Sequence, residues 1–175
     1  MKFKAMALAG LITGLVGTSL AAQEESTNRV NANTDWSVFE ETDPRECWAV
    51  SAPKETVNTR DGREVAVRRG EILLMVFNRP DSGVSGQVAF TGGYPFAGGS
   101  TVTMQIGDAT YDLYTEGEWA WPATPEDDAK IVAAMKRGAN AVLSARSSRG
   151  TTTRDTFSLL GFTAAVEDAA RRCSS

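Results

Sequence analysis

The chain has 175 residues, including 18 basic and 22 acidic side chains, two cysteines and no histidine. A net charge of −4 with no basic run excludes the electrostatic attraction that dominates nucleic-acid binding, and it argues equally against an anionic membrane surface. The absence of histidine also excludes Ser-His-Asp and Cys-His catalytic groups and the commonest zinc sites.

Residues 1–22 have the pattern of a secretory signal peptide. Lys2 and Lys4 form a positively charged start, an almost wholly apolar stretch follows, and small residues precede the predicted cleavage after Ala21 or Ala22. A membrane-anchoring helix is less favoured, because glycines interrupt the apolar stretch and it is short for a bilayer span of about 20 residues. The mature chain is expected in the periplasm, at the outer membrane or secreted, with no integral membrane span.

Cleavage leaves a chain of about 150 residues, the size of one domain with its own core. Loss of Lys2 and Lys4 leaves 16 basic residues against 22 acidic ones, so the net charge becomes −6. Residues 23–34 are polar and have no apolar period, which predicts a flexible leader. Residues 35–175 are expected to form a single domain.

Alternation of apolar and polar residues with a period of two predicts a mainly β fold. The alternation is clearest around Val88, Met104 and Tyr111, whereas residues 72–77 are continuously apolar, as in a central strand. Glycine-containing turns separate most of these segments, which favours antiparallel strands in a β-sandwich or a partly opened barrel. The predicted strands cover residues 36–40, 47–51, 65–68, 72–77, 84–90, 101–106, 109–114, 139–146 and 152–159.

Two helices interrupt the predicted strands. Thr124 and Pro125 have the residue types of an N-cap and a first helical position, and Gly138 is predicted to end this helix in a left-handed conformation. The second helix forms the C-terminal tail, where Phe162 and Cys173 belong to one apolar face. This face is expected to pack on the sheet.

The two cysteines are predicted to form a disulfide. Cysteines of a small exported domain usually pair, and a Cys47–Cys173 bond would close a loop of about 126 residues. On the chain-entropy account this closure stabilises the fold by up to about 5 kcal/mol. A redox-active thiol is the alternative, but the chain has no C-x-x-C motif and no histidine to activate one.

One group of residues points to carbohydrate chemistry. Glu116 and Glu118 are close in sequence to Trp119 and Trp121, and paired carboxylates beside aromatic rings are typical of glycoside hydrolysis. The favoured interpretation is structural, with the acidic residues solvated and the tryptophans in the core. No catalytic residue, metal or cofactor is therefore expected, since calcium-loop and phosphate-loop patterns are also absent. Trp119 and Trp121 are kept as candidate binding residues.

The most distinctive loop covers residues 92–99. Glycines on both sides of Tyr94 and Phe96 give an adaptable backbone that carries two aromatic side chains. Because aromatic residues contribute much of the energy at interfaces, both are candidate binding residues. The favoured alternative is that they cover an open end of the sandwich. Arg149, in the last turn, is expected to solvate a strand edge.

Several short motifs, taken in order, resemble the invasion-associated locus B family. They are ECW at 46–48, GYP at 93–95, AMKRG at 134–138, SRG at 148–150 and DTFSLLGFTAA at 155–165, followed by Cys173. The resemblance implies an exported bacterial envelope protein with an immunoglobulin-like antiparallel β-sandwich. It implies no catalytic residues, and the founding member's link to host-cell invasion is a phenotype rather than a mechanism.

These observations favour a non-enzymatic envelope protein, a binding or interaction module whose partner is an envelope protein or a glycan. Two alternatives stay open. One is a carbohydrate-active enzyme that uses a carboxylate pair, and the other is a surface adhesin that contacts host cells.

Overall fold

An antiparallel sheet and two helices make up the fold, in a computed structural model that describes residues 28–174. The predicted signal peptide lies outside the described residues. Within them no helix is long and apolar enough to cross a membrane. The strands are β1 (Arg29–Asn33), β2 (Trp36–Thr42), β3 (Arg45–Ser51), β4 (Glu55–Arg60), β5 (Arg63–Glu64), β6 (Leu73–Arg79), β7 (Val84–Thr91), β8 (Thr101–Ile106), β9 (Ala109–Glu116), β10 (Trp119–Trp121), β11 (Asn140–Arg146) and β12 (Thr152–Ser158). The helices are α1 (Pro125–Met135) and α2 (Phe162–Ser174).

The sheet folds back on itself to form two layers. Its strand order is β1-β2-β3-β6-β7-β10-β9-β8-β11-β12-β4-β5, and the short strand β10 joins the first half-sheet (β1, β2, β3, β6, β7) to the second half-sheet (β9, β8, β11, β12, β4, β5). The inner faces meet in one core, where the rings of Phe90 and Phe157 lie 6.1 Å apart in an edge-to-face arrangement. The predicted mainly β, sandwich-type fold with two helices is therefore confirmed, with its layers formed by one continuous sheet.

Helix α2 covers the part of the first half-sheet that the second half-sheet leaves open. Its apolar face packs mainly on β2 and β3, as the sequence predicts. Trp36 and Phe162, both fully buried, have ring centroids 4.8 Å apart, and the Trp36 indole N–H donates to the Ser158 carbonyl. The predicted disulfide is present in this interface, with the Cα atoms of Cys47 and Cys173 5.8 Å apart.

Strand β10 pairs with only two residues of β7, Phe90 and Thr91. Helix α1 lies beside the part of β7 that β10 does not pair with. Thr124 is its N-cap and accepts a hydrogen bond from the Asp127 backbone N–H, as the sequence predicts. The buried Asp128 carboxylate accepts the backbone N–H of Val88 at 2.8 Å, which satisfies a donor that no strand partner reaches. Burial raises the pKa of Asp128, and this hydrogen bond opposes the rise.

The predicted role of Gly138 is wrong. Helix α1 ends at Met135, and Gly138 is not among the glycines with a positive φ. A Cβ at this position would lie 2.6 Å from the Ile106 side chain. Glycine is needed here because the chain leaving the helix passes close to β8, and not because the helix end requires a left-handed residue.

The predicted flexible leader is wrong over its second half, because Arg29–Asn33 form β1 and pair with β2. Asn31 donates from its side chain to Asp168 of α2 at 2.8 Å. At Gly161, a Cβ would lie only 1.9 Å from a carbonyl oxygen of β1, so strand and helix touch through backbone atoms. The strand is exposed on almost every residue, so no apolar period could reveal it.

The predicted strand at residues 65–68 is also wrong. This segment is irregular and connects β5 in the second half-sheet to β6 in the first, while the hairpin strands β4 and β5 precede it. The sequence of this segment alternates, but the next residue, Arg69, is buried and forms an ion pair with Asp155. The position of the segment is therefore set by this ion pair and not by pairing with a neighbouring strand.

Replacement of both Cys47 and Cys173 by alanine is expected to lower the free energy of unfolding by about 3–5 kcal/mol, because the unfolded chain regains the freedom that closing this long loop removes. Urea denaturation of the mature protein measures the change. Wild-type protein under reducing conditions is the matched control and should unfold at a similar urea concentration. An unchanged midpoint in both samples would contradict a stabilising disulfide.

The stability of the protein is expected to fall on acidification in part through Asp168. The side-chain hydrogen bond from Asn31 chiefly lowers the pKa of Asp168, and Arg172 and Arg171 lower it further. A carboxylate with a lowered folded-state pKa contributes stability above its unfolded pKa of about 4 and loses it as the pH falls through the folded value. Asp168→Asn should therefore flatten the loss of stability below pH 4 in urea titrations. Asp108→Asn is the matched control, because it removes an exposed carboxylate that makes no ion pair within residues 28–174.

Candidate functional site

The four candidate binding residues lie in two neighbouring pairs. The rings of Tyr94 and Phe96 are 5.2 Å apart, and those of Trp119 and Trp121 are 6.4 Å apart. The two pairs are connected by a hydrogen bond of 2.8 Å from the Phe96 N–H to the Gly117 carbonyl. Loop 92–99 and the β9–β10 turn thus form one region with two different surfaces.

The two aromatic residues of loop 92–99 have different environments. Phe96 is only 6% exposed and packs on Phe90 in the core, so it covers an end of the sheet interior. Tyr94 is half-buried, and its hydroxyl forms a 2.5 Å hydrogen bond with the Thr153 hydroxyl at the base of a cleft. Burial raises the pKa of Tyr94, and the bond to Thr153 opposes the rise. Binding by either residue stays a prediction.

A buried ion pair lies behind Tyr94. Arg69 binds Asp155 through two parallel hydrogen bonds of 2.7 and 2.6 Å, with side chains 6% and 0% exposed. The Arg69 Nε also donates to the Gly92 carbonyl, and the guanidinium lies 5.0 Å from the Tyr94 ring centroid. Burial raises the pKa of Asp155, whereas Arg69 lowers it. The sequence analysis missed this pair, which fixes loop 92–99 to β12.

Two glycines allow loop 92–99 to approach the segment before β6. The Gly70 N–H donates to the Gly93 carbonyl at 2.8 Å. A Cβ on Gly93 would lie 2.6 Å from the Gly70 carbonyl oxygen, and Gly93 has a φ of +71°. Both the backbone conformation and the contact therefore require glycine at position 93.

The cleft has a volume of about 460 Å³ and lies between loop 92–99, the segment before β6 and the β11–β12 turn. Arginines dominate its charged lining: Arg60 comes from β4, Arg68 from the segment before β6 and Arg149 from the turn. Glu118 lies at its edge. Arg149 is exposed, as expected, but it borders this cleft together with three other arginines, of which Arg69 is paired with Asp155. The cleft is therefore locally basic in an acidic protein.

The expectation that the tryptophans near Glu118 fill the core is wrong. Trp119 is 37% exposed and Tyr114 is 48% exposed, while Trp121 is half-buried. On β10 only the residue between the tryptophans, Ala120, points into the core. The side chains of Trp119 and Trp121 therefore lie on the outer surface of the sheet, where Trp121 contacts Tyr114 with centroids 5.6 Å apart.

Aromatic side chains continue across the outer surface of the first half-sheet. Phe39, Trp48 and Phe77 are aligned by the strand register, with centroid distances of 5.5 and 5.9 Å, and all three are partly exposed. Met75 and Ala89 are also on this side and are buried although they do not belong to the main core. The outer aromatic face consists of Phe39, Trp48, Met75, Phe77 and Ala89 on the first half-sheet, Trp119 and Trp121 on β10, and Tyr114 on the adjoining strand β9.

The outer surface of the second half-sheet has a different composition. Residues with solvent-facing side chains on its central strands are mostly polar. They include Thr101, Thr103, Gln105, Ser144, Thr152, Arg154 and Thr156. A sheet with one solvated face normally has polar residues on that side, so the second half-sheet follows the rule and the first departs from it.

The carboxylates of the proposed glycoside-cleaving pair are exposed at a turn. Glu116 ends β9, Glu118 follows Gly117, and bulk water has free access to both. Among residues 28–174 no group of three or more histidine, cysteine or acidic residues is arranged to hold a metal ion.

The sequence model of one protein family, described as Invasion associated locus B (IalB) protein, matches residues 36–170. Comparisons with curated proteins and with solved structures give no match.

Gly93→Ala is expected to destabilise the cleft far more than Gly99→Ala. The two glycines have nearly the same positive φ, +71° and +70°, but only a Cβ at Gly93 would collide with backbone atoms. Gly99→Ala should cost about 1 kcal/mol from backbone conformation alone. Gly93→Ala should cost at least about 2 kcal/mol more, because two backbone segments must separate. Urea unfolding measures both, and equal losses would contradict the close contact.

Proposed function

This chain belongs to the invasion associated locus B family, and we propose that it is an exported, non-enzymatic binding module of the cell envelope whose partner is a protein that docks on the outer aromatic face. The signal-peptide pattern and the disulfide support a location outside the cytoplasm. The exposed carboxylates and the absence of histidine support a non-enzymatic role.

The supporting observation is the unequal distribution of aromatic residues over the two outer surfaces. An exposed and contiguous apolar surface is costly for a soluble protein unless a partner covers it. Aromatic residues, methionine and arginine are the types enriched at protein interfaces. The outer aromatic face combines partly exposed aromatic residues with an arginine, since Arg79 lies 4.3 Å from the Phe77 ring centroid and makes an ion pair with Glu46.

A protein fits this surface better than a sugar does. Sugar rings stack on open aromatic faces, but Phe39 and Trp48 are nearly parallel, at 7°, and already stack on each other. Both side chains are only partly exposed, so a partner would meet a stacked aromatic pair and not two open ring faces, which suits apolar side chains of a protein. A glycan is therefore the competing outcome of the experiment.

A photo-crosslinking phenylalanine analogue in place of Tyr114 tests this proposal in intact cells. The analogue is similar to tyrosine in size, and the position is 48% exposed, so the fold should tolerate it. We expect one discrete protein adduct, identified by mass spectrometry. The same analogue in place of Thr152, on the outer surface of the second half-sheet, should give none. Equal adducts at both positions, adducts with glycan only or adducts with a second copy of this chain would overturn the proposal.

The purified partner provides the quantitative test. Trp119→Ala should weaken its binding by at least about tenfold, because tryptophan is among the residue types whose truncation at an interface costs most, and tenfold corresponds to about 1.4 kcal/mol. Thr152→Ala should leave the affinity unchanged. Isothermal titration calorimetry measures both, after circular dichroism has established that the variants are folded. An unchanged affinity in Trp119→Ala would place the partner elsewhere on the protein.

A further inference from the structure

Three arginines from separate parts of the chain line the cleft without a carboxylate partner. Arg60 donates to the Thr151 hydroxyl at 2.8 Å, and neither Arg68 nor Arg149 makes a hydrogen bond within residues 28–174. None of the three makes an ion pair among the described residues, although the chain has more acidic than basic side chains. Positive charges that gather without compensation in a concave site raise the local concentration of anions.

The fourth arginine of the cleft has a different role. Arg69 is fully occupied by Asp155 and by the Gly92 carbonyl, so it supports the wall and adds no net charge. Arg69 therefore has a structural role, whereas Arg60, Arg68 and Arg149 are available to a ligand. Exposed guanidinium groups of this kind bind carboxylate and phosphate through paired hydrogen bonds.

Backbone hydrogen bonds hold the walls of the cleft in place. On one side the Ser148 N–H donates to the Pro95 carbonyl at 2.9 Å, and the Ala97 N–H donates to the Arg146 carbonyl at 2.9 Å. The β11–β12 turn is closed by a hydrogen bond of 2.8 Å from the Ser147 N–H to the Thr151 carbonyl. A site that is already ordered does not lose affinity to the ordering of its backbone.

From these contacts we propose that the cleft is a binding site for the oxyanion group, carboxylate or phosphate, of a small ligand, with Arg60, Arg68 and Arg149 as its cationic contacts. The volume of about 460 Å³ is in the range of small-molecule sites. The hydroxyls of Tyr94 and Ser148 line the same space and provide neutral donors beside the arginines. Glu118 lies at the edge of the cleft, where its negative charge disfavours a ligand with many negative charges. Its carboxylate can accept hydrogen bonds from hydroxyl groups of the ligand.

This site is independent of the outer aromatic face and is tested on the chain alone. The mature protein, with its disulfide intact, is titrated by calorimetry with inorganic phosphate, with glucuronate and with phosphatidylglycerol vesicles. We expect saturable binding of at least one of the two soluble anions with a Kd of about 1 mM or lower. The vesicles distinguish a lipid headgroup from a free ligand, and we expect no binding to them.

The double variant Arg68→Ala/Arg149→Ala should weaken anion binding by at least about tenfold, because it removes charge-assisted hydrogen bonds. Both side chains are exposed and make no hydrogen bond or ion pair within residues 28–174, so the variant should unfold at the wild-type urea concentration. The control Arg63→Ala/Arg154→Ala removes two exposed arginines outside the cleft and changes the net charge equally. It should retain the wild-type affinity.

Three results would overturn the proposal. They are no saturable binding of phosphate or glucuronate to the wild-type protein, an equal loss of affinity in the two double variants, and binding to vesicles alone. The last result would assign the arginines to a membrane surface instead of a small ligand.

Discussion

The fold depends on covering the inner face of the first half-sheet, and the C-terminal helix does this. Without α2, the fully buried Trp36 and Cys47 would lose Phe162 and Cys173, the side chains of the helix that pack on them and bond to them. The disulfide fixes the helix to β3, and Asn31 and Lys136 fix its outer side to β1 and α1 through Asp168 and Glu167. Helix α2 thus holds β1 in place, which explains why this polar and exposed segment forms a strand.

The chain between β5 and β6 must cross from one half-sheet to the other, and the buried Arg69–Asp155 pair sets its course. Removal of two charges from water is costly, and their attraction repays the cost only when the geometry is good and the remaining donors are satisfied. Both conditions hold, since Asn58 and the Gly92 carbonyl accept further hydrogen bonds from Arg69. The pair specifies one path for an irregular segment that has few apolar contacts of its own. The cleft exists because this path and loop 92–99 are held side by side.

The sequence was informative where burial is periodic and uninformative where backbone pairing or charge determines the structure. Strands such as β8 and β11, both helices and the disulfide follow from apolar periods, caps and cysteine count. Strand β1 is exposed, and β10 has three residues, so neither has a period long enough to detect. The Arg69–Asp155 pair joins residues far apart in sequence, and nothing local marks one arginine among several as buried.

The composition of the sequence identified the candidate binding residues, but it did not predict how they are arranged. Aromatic residues identified loop 92–99 and the β10 tryptophans, yet the side of the sheet they occupy depends on register. In β3 a hint was present, since Trp48 lies between Cys47 and Ala49 and alternation must place it on the opposite side from the core. The β9–β10 turn contains Glu118, at the edge of the cleft, and the next residue, Trp119, begins β10 and lies on the outer aromatic face.

Adjacent residues of one turn therefore serve two surfaces, which raises the question of whether these surfaces communicate. Energetic coupling between two sites requires an element with two arrangements that each ligand favours differently. The turn is instead fixed by the hydrogen bond from Phe96 to Gly117, and Phe96 itself is buried in the core. Because this contact holds the turn to the core, we expect a ligand in the cleft and a protein on the outer aromatic face to influence each other only by direct contact at the turn.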